Sequence, residues 1–212
     1  MKEYDRTYFD RWYRGPDAPR GEAELRRSAR LAVAMAESVL NRDIRTVLDV
    51  GAGEGRWQPI LHELRPEVTY LGIEPSGYAV KRFGEARNLR EGTFEELHLH
   101  VFDDPFDLVL CADVLHYLSR AQVLAGIAEL ADLVGGAAFL EVFTDEDPAL
   151  GDREGFQQRP AEWYRTVFHQ AGLRPLGMQM WVHHELYGDL DEMERLPRGP
   201  DQNAAPSPLR SD

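Results

Sequence analysis

At 212 residues with 43% hydrophobic content, the chain is long enough to fold as one domain with a sizeable core. Its formal net charge of -13 speaks against an extended nucleic-acid surface, and its single cysteine, Cys111, excludes an intramolecular disulfide framework, which fits a reducing cytoplasm. No apolar run is long enough to span a bilayer, and Met1 to Arg6 lacks the apolar core of a signal peptide, so a cytoplasmic protein without a membrane partner is expected.

In chain order, the opening segment from Tyr4 to Arg14 is unusually aromatic. Tyr4, Tyr8 and Trp12 recur at about helical spacing, with Phe9 and Tyr13 beside them, which predicts a short amphipathic helix docked on the main domain. Gly15, Pro16, Pro19 and Gly21 then mark a turn before a helix from Glu22 to Leu40. Its apolar positions, Leu25, Ala29, Val33, Ala36 and Leu40, predict packing on a sheet. Arg20, Arg26, Arg27 and Arg30 read as solvated charges around that helix and not as a nucleic-acid patch.

The stretch Thr46 to Gly55 joins a short β-branched strand to a glycine cluster, and Arg56 to Leu64 follows as a helix with Pro59 in its first turn. Strand, glycine turn and helix form the first half of a nucleotide-binding βαβ unit, because glycine lets the backbone approach a ligand where a Cβ would block it. A dinucleotide fingerprint would place its third glycine where Arg56 stands, whereas this chain has Gly55 one residue early. Asp49, just ahead of the turn, would repel a pyrophosphate but accept hydrogen bonds or face a cation. A phosphate-binding loop is excluded, since no Lys-Ser or Lys-Thr follows the glycines. Tyr70 to Ser76 gives a second strand ending in Glu74, at the distance where a carboxylate can hold a ribose diol.

Further elements follow at regular spacing: a helix from Gly77 to Arg87, a short strand near Asn88 to Arg90, and a buried strand from Phe106 to Leu110. The exit of that strand, Cys111-Ala112-Asp113, is expected to face the same cleft as the glycines. Ser119 caps a helix from Arg120 to Leu133, Gly135-Gly136 ends it, and Ala137 to Thr144 is a strand. A polar loop covers 146–159, and Pro160 opens a helix that Gly172 stops. Two closing strands are expected at 174–179 and 181–187, and a disordered tail from about 195. On a strand, His183 and Glu185 would share one face with His184 opposite, a pattern of surface decoration and not of a metal site.

LDVGAGEG (48–55), YLGIEPS (70–76), FDLVLCADVLHYL (106–118) and GGAAFLEVF (135–143) together resemble the class I S-adenosylmethionine-dependent methyltransferases, in that family's order and at compatible spacing. The resemblance implies an α/β fold: a single doubly wound, mostly parallel seven-stranded sheet with an antiparallel C-terminal edge hairpin. It implies a lid or cap over 1–40, a Rossmann-like cofactor-binding domain over 41–194 and a tail over 195–212. The implied cofactor is S-adenosylmethionine, held by Tyr8 in the lid, Asp49, Gly51, Ala52 and Gly53 at the turn, Glu74 and Pro75 at the ribose, Thr93 and Phe94 at the adenine, and Cys111 and Ala112. The family's usual acid for the adenine amino group is replaced here by Thr93. Phe94 reads either as a stacking face or as a core phenylalanine.

Methyl transfer from a sulfonium is an in-line displacement in which alignment does most of the work. A base helps where the nucleophile carries a proton, and His116, just beyond the fourth strand, is the candidate. The expected acceptor is a small molecule attacked through oxygen, nitrogen or carbon, and the protein a monomer or homodimer that binds no nucleic acid. The alternative is a non-catalytic S-adenosylmethionine-binding module or regulatory partner, with a nicotinamide dehydrogenase a distant third.

Overall fold

A computed structural model describes residues 4–15, 21–147, 152, 154–188 and 190. Among the described residues, seven strands form one sheet: β1 (Thr46–Val50), β2 (Thr69–Glu74), β3 (Leu89–Glu91), β4 (Phe106–Ala112), β5 (Val134–Glu141), β6 (Leu173–Gly177) and β7 (Met180–His183). Their order is β3-β2-β1-β4-β5-β7-β6. The first five pair in parallel, while β7 runs antiparallel to both β5 and β6. The order reverses direction between β1 and β4, which opens a crevice at their carboxyl ends.

Period-two alternation sorts the strand residues onto two apolar faces. Val47, Leu108, Leu110, Ala137 and Phe139 face helices α2 (Glu22–Leu40) and α3 (Trp57–Leu64), through Leu25, Ala29, Ala32, Val33, Ala36, Ile60 and Leu61. Leu48, Val50, Val109, Cys111, Ala138 and Leu140 face α5 (Arg120–Asp132) and α6 (Ala161–Gln170), through Val123, Ile127, Leu130, Val167 and Phe168. Helix α4 (Gly77–Arg87) begins on Ser76, whose hydroxyl oxygen accepts from Ala79 N–H at 3.1 Å. Ser119 and Gln122 form a reciprocal capping box at the start of α5.

Two expectations fail locally. Gly135 and Gly136 do not end α5; they lie inside β5, which starts directly after Leu133. A Cβ on Gly136 would fall 2.3 Å from the carbonyl oxygen of Asp107, so the glycine marks close approach to β4 and not a helix stop. The last strand is also shorter than expected. It ends at His183, and α7 (His184–Tyr187) follows, which breaks the alternation assumed for His183, His184 and Glu185. The N-terminal segment forms α1 (Arg6–Phe9) and continues as a π-helical turn over Asp10–Arg14. The expected turn residues Pro16 and Pro19, Arg20 and the tail from 195 lie outside the described residues.

Candidate functional site

A cavity of about 1090 Å³ opens where the strands β1, β2, β4 and β5 end. Its floor is the glycine turn. Gly51, Gly53 and Gly55 all take positive φ, +75°, +57° and +70°, a region costly for residues with a Cβ. The N–H groups of Gly51 and Ala52 both donate to the carbonyl of Ile73, at 2.8 and 3.1 Å, which ties the turn to β2. The turn also positions Glu74: Gly53 N–H donates to Oε2 at 2.7 Å and Ser76 N–H to Oε1 at 2.9 Å. Each oxygen keeps a second acceptor direction for a ligand hydroxyl. Burial raises the Glu74 pKa, and the two backbone donors oppose that rise.

Asp49 is 2% exposed and accepts from the Tyr70 hydroxyl at 2.6 Å. Burial pushes its carboxyl up to about 7; the Tyr70 hydrogen bond pulls against this and the Glu74 charge adds to it. Asp49 is therefore poised between neutral and charged near neutral pH, and an incoming cation would favour the charged form.

The N-terminal segment roofs the turn. Ser76 Oγ donates to the Tyr4 carbonyl at 2.5 Å, Arg14 reaches Glu54 at 2.5 Å, and the Phe9 ring stacks on Tyr78 with centroids 5.8 Å apart. A Cβ on Gly53 would fall 2.2 Å from the Tyr13 hydroxyl oxygen, so the absence of a side chain there admits this tyrosine. Tyr4, Tyr8 and Tyr13 line the cavity. Burial is the first cause raising all three phenols, reinforced by nearby negative groups, so they stay protonated and serve as donors.

Thr93 and Phe94 also line the cavity, at the start of a 3₁₀ helix over Phe94–Leu99. The Thr93 hydroxyl donates to Glu96 at 2.9 Å. Its neighbour Glu95 is the better-placed acceptor: Oε1 accepts from Gln122 at 2.7 Å, and Oε2 is buried without a donor. Phe94 is 4% exposed and belongs to both the core and the wall, so its two readings are not exclusive.

Of the expected residues, Tyr8, Asp49, Gly51, Ala52, Gly53, Glu74, Pro75, Thr93, Phe94 and Ala112 line the cavity, and Cys111 and His116 do not. Cys111 is fully buried because strand alternation turns it into the α5 side of the core, and burial raises its thiol pKa. His116 is likewise sealed, ringed by Tyr117, Phe143 and Phe156 at 4.3–5.3 Å between centroids. As a base in direct contact with an acceptor it is misplaced.

After β4 the wall is built by Val114, Tyr117 and Leu118, an i, i+3, i+4 set that turns His116 inward. That spacing was legible in the sequence and would have pointed to Tyr117. Asp113, expected only as a cleft-facing exit residue, lines the cavity with φ +64°. Arg159 gave no sequence signal at all. It is buried, and its guanidinium donates to the carbonyls of Leu115 and Leu118 and to the Tyr164 hydroxyl, pinning the turn that carries the wall.

Residues 48–136 match a family model described as a methyltransferase domain. No curated protein matches the sequence. Among solved structures, an O-methyltransferase family protein from Burkholderia thailandensis is 21% identical with a TM-score of 0.54, covering 84% of this chain and 61% of its own. DesVI of Streptomyces venezuelae is 17% identical with a TM-score of 0.61, covering 86% of this chain and 100% of its own. CalS10, an amino pentose methyltransferase from Micromonospora echinaspora, is 15% identical with a TM-score of 0.61, covering 85% and 97%. This chain thus spans less than two thirds of the Burkholderia protein but the whole length of DesVI. Such identities speak for the fold, and within that fold residues 48–136, which carry the glycine turn and Glu74, are similar to a methyltransferase domain.

Proposed function

We propose that this protein is an S-adenosylmethionine-dependent methyltransferase that acts on a small-molecule acceptor through an oxygen, nitrogen or carbon nucleophile. The observation that carries this reading is the union of a side-chain-free turn, a ribose-ready Glu74 oriented by Gly53 and Ser76, and a nearly buried Asp49, all on one cavity. When bound, the cofactor supplies an activated methyl group on a sulfonium. The chain's own part is to hold it: Glu74 at the ribose hydroxyls, Asp49 toward the cationic methionine end, and Phe94 with Glu95 at the adenine. At about 1090 Å³ the cavity exceeds the ~300–1,000 Å³ of a typical single-ligand site, which leaves room for an acceptor beside the cofactor.

Isothermal titration tests the cofactor half of this reading. S-adenosylhomocysteine is expected to bind, and Glu74→Gln to weaken it at least tenfold. Absence of binding by the unmodified protein at millimolar ligand overturns the proposal. Formation of S-adenosylhomocysteine from S-adenosylmethionine with an acceptor panel tests the transfer half; binding without turnover on any acceptor would favour the binding-module alternative.

A further inference from the structure

We infer that the acceptor is a small amine, held as its ammonium ion and deprotonated at Asp113, with His116 positioning that carboxylate from behind. This rests on the methyltransferase reading and names the acceptor class for the same cavity.

The residues that line the cavity fall into two groups. The glycine turn, Asp49, Glu74 and the Thr93 to Glu95 stretch are the group assigned to the cofactor. The other group is Asp113, Tyr117, Glu141 and Phe143, with Tyr4, Tyr8 and Asp152. Among the charged residues described in the lining, Arg56 is the single cation and the rest are carboxylates, interleaved with aromatic rings. An anionic acceptor would meet mostly like charge. An ammonium ion would meet carboxylates and the faces of electron-rich rings, the two groups that attract a cation.

Asp113 is the carboxylate best placed to receive the proton. Its side chain is 45% exposed at the cavity, and its left-handed backbone, φ +64°, is a conformation that aspartate tolerates better than most residues. Behind it stands the His116 ring. Phe143 N–H donates to Nδ1 at 3.3 Å, so the neutral ring carries its hydrogen on Nε2. That nitrogen is sealed from solvent, has no aligned acceptor, and lies 3.1 Å from Asp113 Oδ1. A small rotation of the carboxylate would complete the bond, which leaves the other oxygen for the acceptor. Negative charge on Asp113 is also felt by Tyr4, Tyr13 and Tyr117, whose phenols it helps to raise after burial.

The step balances without a further reactant. The ammonium gives one proton to the Asp113 carboxylate, which frees the nitrogen lone pair. That pair forms the N–CH₃ bond as the C–S bond breaks, and the bonding electrons stay on sulfur as a neutral thioether. The product leaves as a methylated ammonium ion, and Asp113 returns its proton to water.

The test uses matched acceptors that differ only in one group, such as benzylamine against benzyl alcohol and benzoate, and an aminohexose against its parent hexose. With cofactor binding first established by titration, the amine of each set is expected to be methylated at least tenfold faster, or, where turnover is absent, to bind the S-adenosylhomocysteine complex at least tenfold tighter. Asp113→Asn keeps the left-handed backbone. It is expected to lower kcat/KM for amines at least tenfold, with S-adenosylhomocysteine affinity within threefold of the parent. His116→Gln is expected to shift the pH profile of kcat/KM for amines while leaving that affinity in place. Intact cofactor binding with no preference for amines, in turnover or in binding, overturns the amine assignment and leaves the methyltransferase reading standing. An unchanged kcat/KM in Asp113→Asn overturns the role of Asp113. Failure of the parent protein to bind the cofactor strikes the methyltransferase reading itself.

Discussion

Asp49 carries a testable consequence of its burial. Its folded-state pKa of about 7 lies above the ordinary aspartate value of 3.8, so the fold prefers the neutral form. Between about pH 4 and 7 the unfolded chain sheds this proton while the folded chain keeps it. The Asp49 contribution to stability therefore falls as pH rises through that window and is fully unfavourable above it. Asp49→Asn is expected to gain stability relative to the parent between pH 5 and pH 8 in urea titrations, and a constant difference across that range would contradict the shift. Because a cationic ligand selects the ionised carboxylate, S-adenosylmethionine binding at pH 6.5 is expected to release protons. Titrations in two buffers of different ionisation enthalpy would read this directly. The same physics explains why Cys111 and the tyrosines are unsuited as nucleophile or base: burial holds them in the protonated form.

At the scale of elements, the cavity depends on where strands stop and how their connections turn. β4 ends at Ala112, Asp113 takes the left-handed turn, and the 114–118 segment presents Val114, Tyr117 and Leu118 to the cavity while burying Leu115 and His116. Arg159 then donates to the carbonyls of Leu115 and Leu118, adding to the Leu118 N–H that already reaches the first, and so fastens the turn from the interior. Two element-level substitutions have sharply different expectations in chemical denaturation. Ser119→Ala removes one side of the capping box on α5 and is expected to cost about 1 kcal/mol. Gly136→Ala drives a Cβ to within 2.3 Å of the backbone oxygen of Asp107, where neither strand can yield cheaply, and is expected to cost about 1–3 kcal/mol. A Gly136→Ala variant as stable as the parent would show that β4 and β5 are not closely apposed there.

For the molecule as a whole, the N-terminal segment is the part that roofs the cavity from outside the sheet. It is fastened to the glycine turn and to the start of α4 through Arg14, Tyr4 and Phe9, and it supplies aromatic rings to the cavity wall. We propose that it acts as the lid over 1–40, with the part beyond Gly21 built into the sheet's helical layer. Arg6, Arg11 and Arg14 place trypsin sites in it, and S-adenosylhomocysteine is expected to slow cleavage there at least fivefold. Equal cleavage with and without ligand would separate the segment from ligand binding. No helix of the described residues is long and apolar enough to cross a membrane.

The sequence by itself determined the sheet, the glycine turn and its two acids, because each is written in local patterns: β-branched runs, glycine spacing and a carboxylate at a strand end. It also determined α2, α4 and α5 nearly to the residue, through apolar periodicity and caps. Only the tertiary structure decided which side of a turn a residue faces. His116 is withdrawn and Asp113 and Tyr117 are presented, because a single-residue step along a tight turn reverses a side chain's direction, and the packing of Phe143, Phe156 and Arg159 against that turn selects the phase. The glycine pair at 135–136 is the same lesson on a strand. Its meaning lies in a backbone approach from β4, a strand far earlier in the chain, which no local pattern records.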